Sequence, residues 1–240
     1  AYDWGAFLGL QGLMAARGRT RQLASLVDSF ATAGPGMARA LFFLDALAGL
    51  PLDSEATGVA QFLRGAFGDS LDGLGDSENA ARTRWMAGTW YAAQGDVART
   101  AARAAALARQ ARAQPSRAVG LYARALAAHL ALLRGDSAGA LGALRGLVPN
   151  GSREILSYDL GEPLPVERLR LAQLALQRGE PEEALRVAAV FDHPQPIIFL
   201  PFVPASLELR ARAAQALGRG GLASEYRDRL RRLAAADPVR

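Results

Sequence analysis

The sequence contains no lysine and no cysteine, and its only histidines are His129 and His193. All 28 basic side chains are therefore arginine. Without lysine the chain has no P-loop lysine, no Schiff-base lysine and no kinase-type ATP lysine. Without cysteine it has no thiol nucleophile, disulfide framework or zinc knuckle. Neither histidine has a Glu or His at helical spacing to complete a set of three or four ligands, so no metal and no cofactor are expected. Long apolar runs are missing too. The most apolar stretch, residues 197–203, is too short to span a bilayer and is broken by Pro201, so no membrane partner is expected. No basic segment followed by an apolar run opens the chain, so a cytoplasmic location is expected. Strand-type alternation is also scarce. The best candidate, Ile197-Ile198-Phe199-Leu200, lies between prolines.

What is present is enough for a core: half of the 240 residues are hydrophobic. The net charge of +5 is modest for this length, and tight nucleic-acid binding needs a concentrated basic face, so nucleic acid is not the expected partner. The charge is nevertheless clustered. Residues 45–78 carry seven acids and one Arg, a net of −6. Residues 97–135 carry seven Arg and no acid, a net of +7. Arg99, Arg103, Arg109, Arg112, Arg117 and Arg124 fall in this second stretch. They read either as a solvated face with some ion pairs between repeats or as a surface for an acidic partner. Aromatic residues are not interleaved with them, which argues against stacking on single strands.

A repeat runs through the chain. Ala- and Leu-rich helical stretches pause at Gly18, Gly49, Gly95, Gly135, Gly179 and Gly218, about forty residues apart, often followed by a polar cap. The expected architecture is all-α, with six helical hairpins covering roughly 2–32, 36–67, 77–113, 116–147, 163–191 and 205–235. Asp53, Asp76, Asp96 and Asp136 are expected helix caps, accepting from free N–H groups of the first turn. Pro181 fits the first position of a helix, with Glu182 and Glu183 at its positive end. Two connections stand out, residues 148–162 and the proline-studded apolar residues 192–204. The latter reads as a buried strap or as an apolar docking patch.

Catalytic patterns fare poorly. Gly135-Asp136-Ser137-Ala138-Gly139 fits the Gly-x-Ser-x-Gly nucleophile elbow, with His129 two turns upstream. The elbow needs a preceding strand, and a helix is expected here. Gly-Asp-Ser recurs at 68–70 and 75–77, as a repeated helix cap would. A Ser137 hydrolase is therefore a remote alternative, and no enzyme activity is expected.

The layout resembles the tetratricopeptide repeat family. Gly88, Tyr91 and Gly95 match its small, aromatic and turn positions. Ala128, Gly135, Ala140 and Leu144 repeat that frame, as do Ala172, Gly179, Ala184, Phe191 and Pro196. Gly18, Leu23, Val27, Phe30 and Pro35 fit half a copy; Ala211, Gly218 and Ala223 fit a last one, with Arg227 at a usually apolar position. Residues 36–67 match poorly, and the spacing exceeds the family's usual 34. The resemblance implies a right-handed superhelix that binds a protein or peptide in a concave groove. It places Arg82, Trp85, Thr89, Tyr122, His129, Gln173, Gln177, Glu208, Arg212 and Gln215 on the groove face, with Trp85 alternatively in the core. Phe191-Asp192-His193-Pro194 followed by Leu200-Pro201-Phe202 is also similar to C-terminal repeat regions of bacterial serine/threonine kinases and regulators. That implies a sensor or scaffold portion of a larger signalling protein. The alternative is a structural subunit that self-associates, in which the −6 and +7 stretches of neighbouring copies meet.

Overall fold

The computed structural model describes residues 4–19, 22–23, 25–26, 47–48, 75–147, 164–193 and 197–235. The expected hairpin at 36–67, Gly49, Asp53, most of the 20–32 helix and the connection 148–162 lie outside the described residues, as does most of the acidic stretch. The described residues are all-helical and contain no strand. The helices are α1 (Trp4–Ala16), α2 (Glu78–Ala93), α3 (Val97–Ala113), α4 (Arg117–Leu133), α5 (Ser137–Leu147), α6 (Pro165–Gln177), α7 (Pro181–Ala188), α8 (Val203–Ala216) and α9 (Gly220–Ala235). Two 3-10 segments, Ala189–Asp192 and Ile197–Phe202, lie between α7 and α8.

The turns repeat the same chemistry. Gly18, Gly95, Gly135, Gly179 and Gly218 all adopt positive φ, between 65° and 81°. At each, the glycine N–H donates to the carbonyl three residues back. The next N–H reaches five residues back: Arg19 to Met14, Asp96 to Tyr91, Asp136 to Ala131, Glu180 to Ala175 and Arg219 to Ala214. This is the Schellman closure, which satisfies the last helical carbonyls and favours glycine because it has no Cβ. Asp96 then caps α3 by accepting from Arg99 N–H, and Asp136 accepts from Gly139 N–H. The expected cap at Asp76 is corrected by one residue. Ser77 Oγ accepts from Ala80 N–H, and Asp76 pairs with Arg84 instead.

The chain divides into two compact units, residues 60–167 and residues 1–59 with 168–240. In the first unit α2 packs on α3 and α4, α3 on α4, and α4 on α5. Gly88 permits the α2–α4 approach: a Cβ there would fall on the Leu126 side chain, 2.7 Å from Cδ1. Four of the turn glycines, at 95, 135, 179 and 218, are also followed five residues on by a fully buried small residue: Thr100, Ala140, Ala184 and Ala223.

In the second unit α8 packs on α7 and α9, and α1 packs on the 197–202 segment. The expected loop at 192–204 is corrected here. It winds into a 3-10 turn that runs into α8, and Ile198, Phe199 and Phe202 are buried. Phe191 packs edge-on against Phe199 and stacks on Phe202, with centroids 5.1 and 5.9 Å apart. These rings fill the core, so the docking-patch reading of the segment is set aside in favour of the strap.

Candidate functional site

In the unit 60–167, three segments converge on one carboxylate. Glu167, on the first turn of α6, is 0% exposed. Its Oε1 accepts the indole N–H of Trp85 from α2 at 2.8 Å and faces His129 Nε2 of α4 at 2.9 Å. Tyr122 of α4 stacks on Trp85, with centroids 5.3 Å apart. Thr89 turns its hydroxyl inward and donates to the Trp85 carbonyl at 2.8 Å. Glu167 Oε2 is buried and has no hydrogen-bond partner among the described residues.

This arrangement corrects four expected groove residues. Trp85, Thr89, Tyr122 and His129 are all buried, so they form a polar core rather than an open face. The physical reason is Glu167, an acceptor that local sequence patterns do not single out. Its signal is its register: Glu167, Leu171 and Leu174 follow an i, i+4, i+7 pattern, and all three are buried.

The other expected groove residues divide between the two units. Arg82, half-buried on α2, donates to Asn79 Oδ1 of its own helix. In the second unit Gln173 is half-buried and Gln177 exposed. Glu208, Arg212 and Gln215, at i, i+4 and i+7, share one exposed face of α8.

No known protein family, curated protein or solved structure matches the chain.

The arginines sort by exposure. Arg99 pairs with Asp96 and lies over the Tyr91 ring, 5.4 Å from its centroid, and Arg103 is half-buried. Arg109, Arg112, Arg117 and Arg124 are exposed. The first three bracket the short α3–α4 connection, residues 114–116. None of the four forms an ion pair among the described residues, where the pairs of this unit include Arg84–Asp76 and Arg99–Asp96. Among the described residues, the unit therefore presents guanidinium groups without an ion-pair partner at one helix connection.

The second unit holds a different arrangement. Asp192, at the end of its 3-10 segment, holds Arg210 through two hydrogen bonds of 2.5 and 2.9 Å and Arg229 through a contact of 2.6 Å. Arg210 is 1% exposed and lies over the Tyr226 ring. The Arg210 hydrogen bonds, helped by Arg229 and opposed by burial, hold the Asp192 carboxyl well below the usual carboxylate range.

The hydrolase pattern comes apart residue by residue. Gly135 closes α4, Asp136 caps α5, and Ser137 is exposed at the start of α5. His129, its expected partner, is buried against Glu167. Among the described residues no three potential metal ligands come together, and no helix is long and apolar enough to cross a membrane.

Proposed function

We propose that the chain is a helical-hairpin repeat protein of the tetratricopeptide kind, winding a right-handed superhelix and acting without catalysis as a docking module for an acidic protein segment. The recurrence of one turn geometry at Gly95, Gly135, Gly179 and Gly218 supports the repeat reading. One observation carries the partner class: the aromatic residues of the expected groove are buried, while Arg109, Arg112, Arg117 and Arg124 remain exposed and without an ion pair among the described residues. Guanidinium forks match carboxylates bidentately, and an exposed cluster of one sign raises the local concentration of the opposite charge. The docking surface therefore lies at the α3–α4 connection rather than along the first helices. In a larger signalling protein of the cytoplasm such a surface would serve as a scaffold or sensor.

The test is fluorescence anisotropy with a labelled oligoglutamate peptide and an oligoserine control. Oligoglutamate is expected to bind in a salt-sensitive way, and the Arg109→Ser, Arg112→Ser, Arg117→Ser, Arg124→Ser variant to bind at least about tenfold more weakly. Equal affinity in the variant would refute the assignment. The acidic stretch 45–78 favours a second reading, in which the partner is another copy of the chain. Light scattering separates the two, because self-association predicts a mass that falls with added salt.

A further inference from the structure

The short connection between α3 and α4, residues 114–116, is tied down from both sides. On the α3 side, Gln110 is buried, 3% exposed. Its Nε2 donates to the carbonyls of Asp76 and Ser77 at 2.7 and 3.0 Å, and its Oε1 accepts from Arg84 Nη1 at 2.8 Å. Both ends of the amide are therefore used, and all three partners belong to α2 or to the residues that open it. On the α4 side, Ser116 stands at the N-cap, where a serine oxygen ordinarily accepts from its own helix. It makes no such bond; its hydroxyl donates to Glu78 Oε1, on the first turn of α2. Local preference gives way to a contact across 38 residues.

The two side chains thus reach from opposite ends of the connection to the start of α2. The arginines of the docking surface are their chain neighbours. Arg109 precedes Gln110, Arg112 follows it by two residues, and Arg117 follows Ser116. Those three side chains are exposed, so the clamp does not hold the guanidinium groups themselves. What it fixes is the backbone that carries them. Binding to a surface already held in place loses less conformational freedom than binding to one that must first be ordered.

We propose that Gln110 and Ser116 are positioning residues for the acidic segment, holding the backbone of Arg109, Arg112 and Arg117 in one arrangement against the start of α2. The inference rests on the docking reading given above. Charge steers the partner in and geometry retains it, so the clamp acts on the dissociation rate while the arginine charges set the association rate.

The test follows labelled oligoglutamate by stopped-flow anisotropy, with amide hydrogen exchange of the free protein beside it, all on the full chain. Ser116→Ala and Ser116→Thr are each combined with Glu78→Gln, which keeps an acceptor for the hydroxyl and removes a carboxylate that would compete with the peptide. The alanine variant is expected to release the peptide about threefold faster or more, at an unchanged association rate. Its Gln114 and Gly120 amides, which bond to the Gln110 and Ser116 carbonyls beside the connection, are expected to exchange faster. The threonine variant is expected to match Glu78→Gln alone in both readouts. Gln110→Met, of similar volume, is expected to speed release in the same way. Equal release from the alanine and threonine variants would overturn the proposal. So would a lower urea midpoint in Gln110→Met with release unchanged, because the amide would then serve stability alone. A wild type that does not bind oligoglutamate sinks the docking reading instead, and unchanged exchange in the alanine variant would still overturn the clamp.

Discussion

Gly88 has no room for a methyl group, because Leu126 of α4 occupies that space. Gly88→Ala is expected to destabilise the protein by about 1–3 kcal/mol, read as a lower urea midpoint with an unchanged slope. Asp192 provides a second test at this scale. Its carboxyl is held low by Arg210 and Arg229, so its contribution to stability is present above the unfolded carboxylate range, about pH 4, and is lost as pH falls below it. The wild type should therefore lose stability on acidification through that window. Asp192→Asn should be less stable at neutral pH and should flatten the acid limb of a midpoint-against-pH plot. The two kinds of residue differ in legibility. Gly88 is readable because its position, seven residues before a turn glycine, recurs as Ala128, Ala172 and Ala211. Glu167 is not, because its partners come from other helices and no local pattern announces a contact across 82 residues.

Among the elements, the turns are the clearest to read. A glycine whose neighbours stop being helical signals a left-handed closure, and five of the six expected glycines adopt one, with Gly49 outside the described residues. This gives predictions of opposite sign within one residue type. Gly95→Ala or Gly179→Ala forces a Cβ into positive φ and is expected to cost about 1–2 kcal/mol. Gly142 and Gly146 sit exposed on α5, and an added methyl would meet nothing within 4 Å, so Gly142→Ala or Gly146→Ala should stabilise by about 0.5–1 kcal/mol. Thermal melts of the four single variants would check the sign pattern. The 197–202 segment is harder. Its prolines exclude a long α-helix, but a 3-10 turn tolerates Pro201, and its aromatic residues are buried by packing rather than by local preference. The cap at Ser77 escapes the sequence pattern for a smaller reason. Gly75-Asp76-Ser77 reads like Gly135-Asp136-Ser137, but Asp76 pairs with Arg84 and leaves the cap to Ser77.

At the scale of the molecule, the all-helical class follows from periodicity and turns, and the structure shows it among the described residues. The placement of the expected groove residues does not follow, because helical spacing gives a face but not what covers it. Trp85 and Tyr122 are large apolar rings, and the core claims such groups first. Division into two compact units has a measurable correlate. Hydrogen exchange in Gly88→Ala is expected to accelerate across 75–147 more than across 197–235, because the lost packing lies wholly within one unit. Uniform acceleration would mean that the two units open together.

The shared turn geometry also bears on how such a chain can change in length. Gly95-Asp96 and Gly135-Asp136 close with the same hydrogen bonds and cap the following helix in the same way. A tandem duplication of residues 96–135 would join Gly135 to Asp96 and remake that junction without a new type of turn. The inserted forty residues would arrive with their own start and stop signals, so growth by a whole hairpin would ask for no junction the chain does not already make.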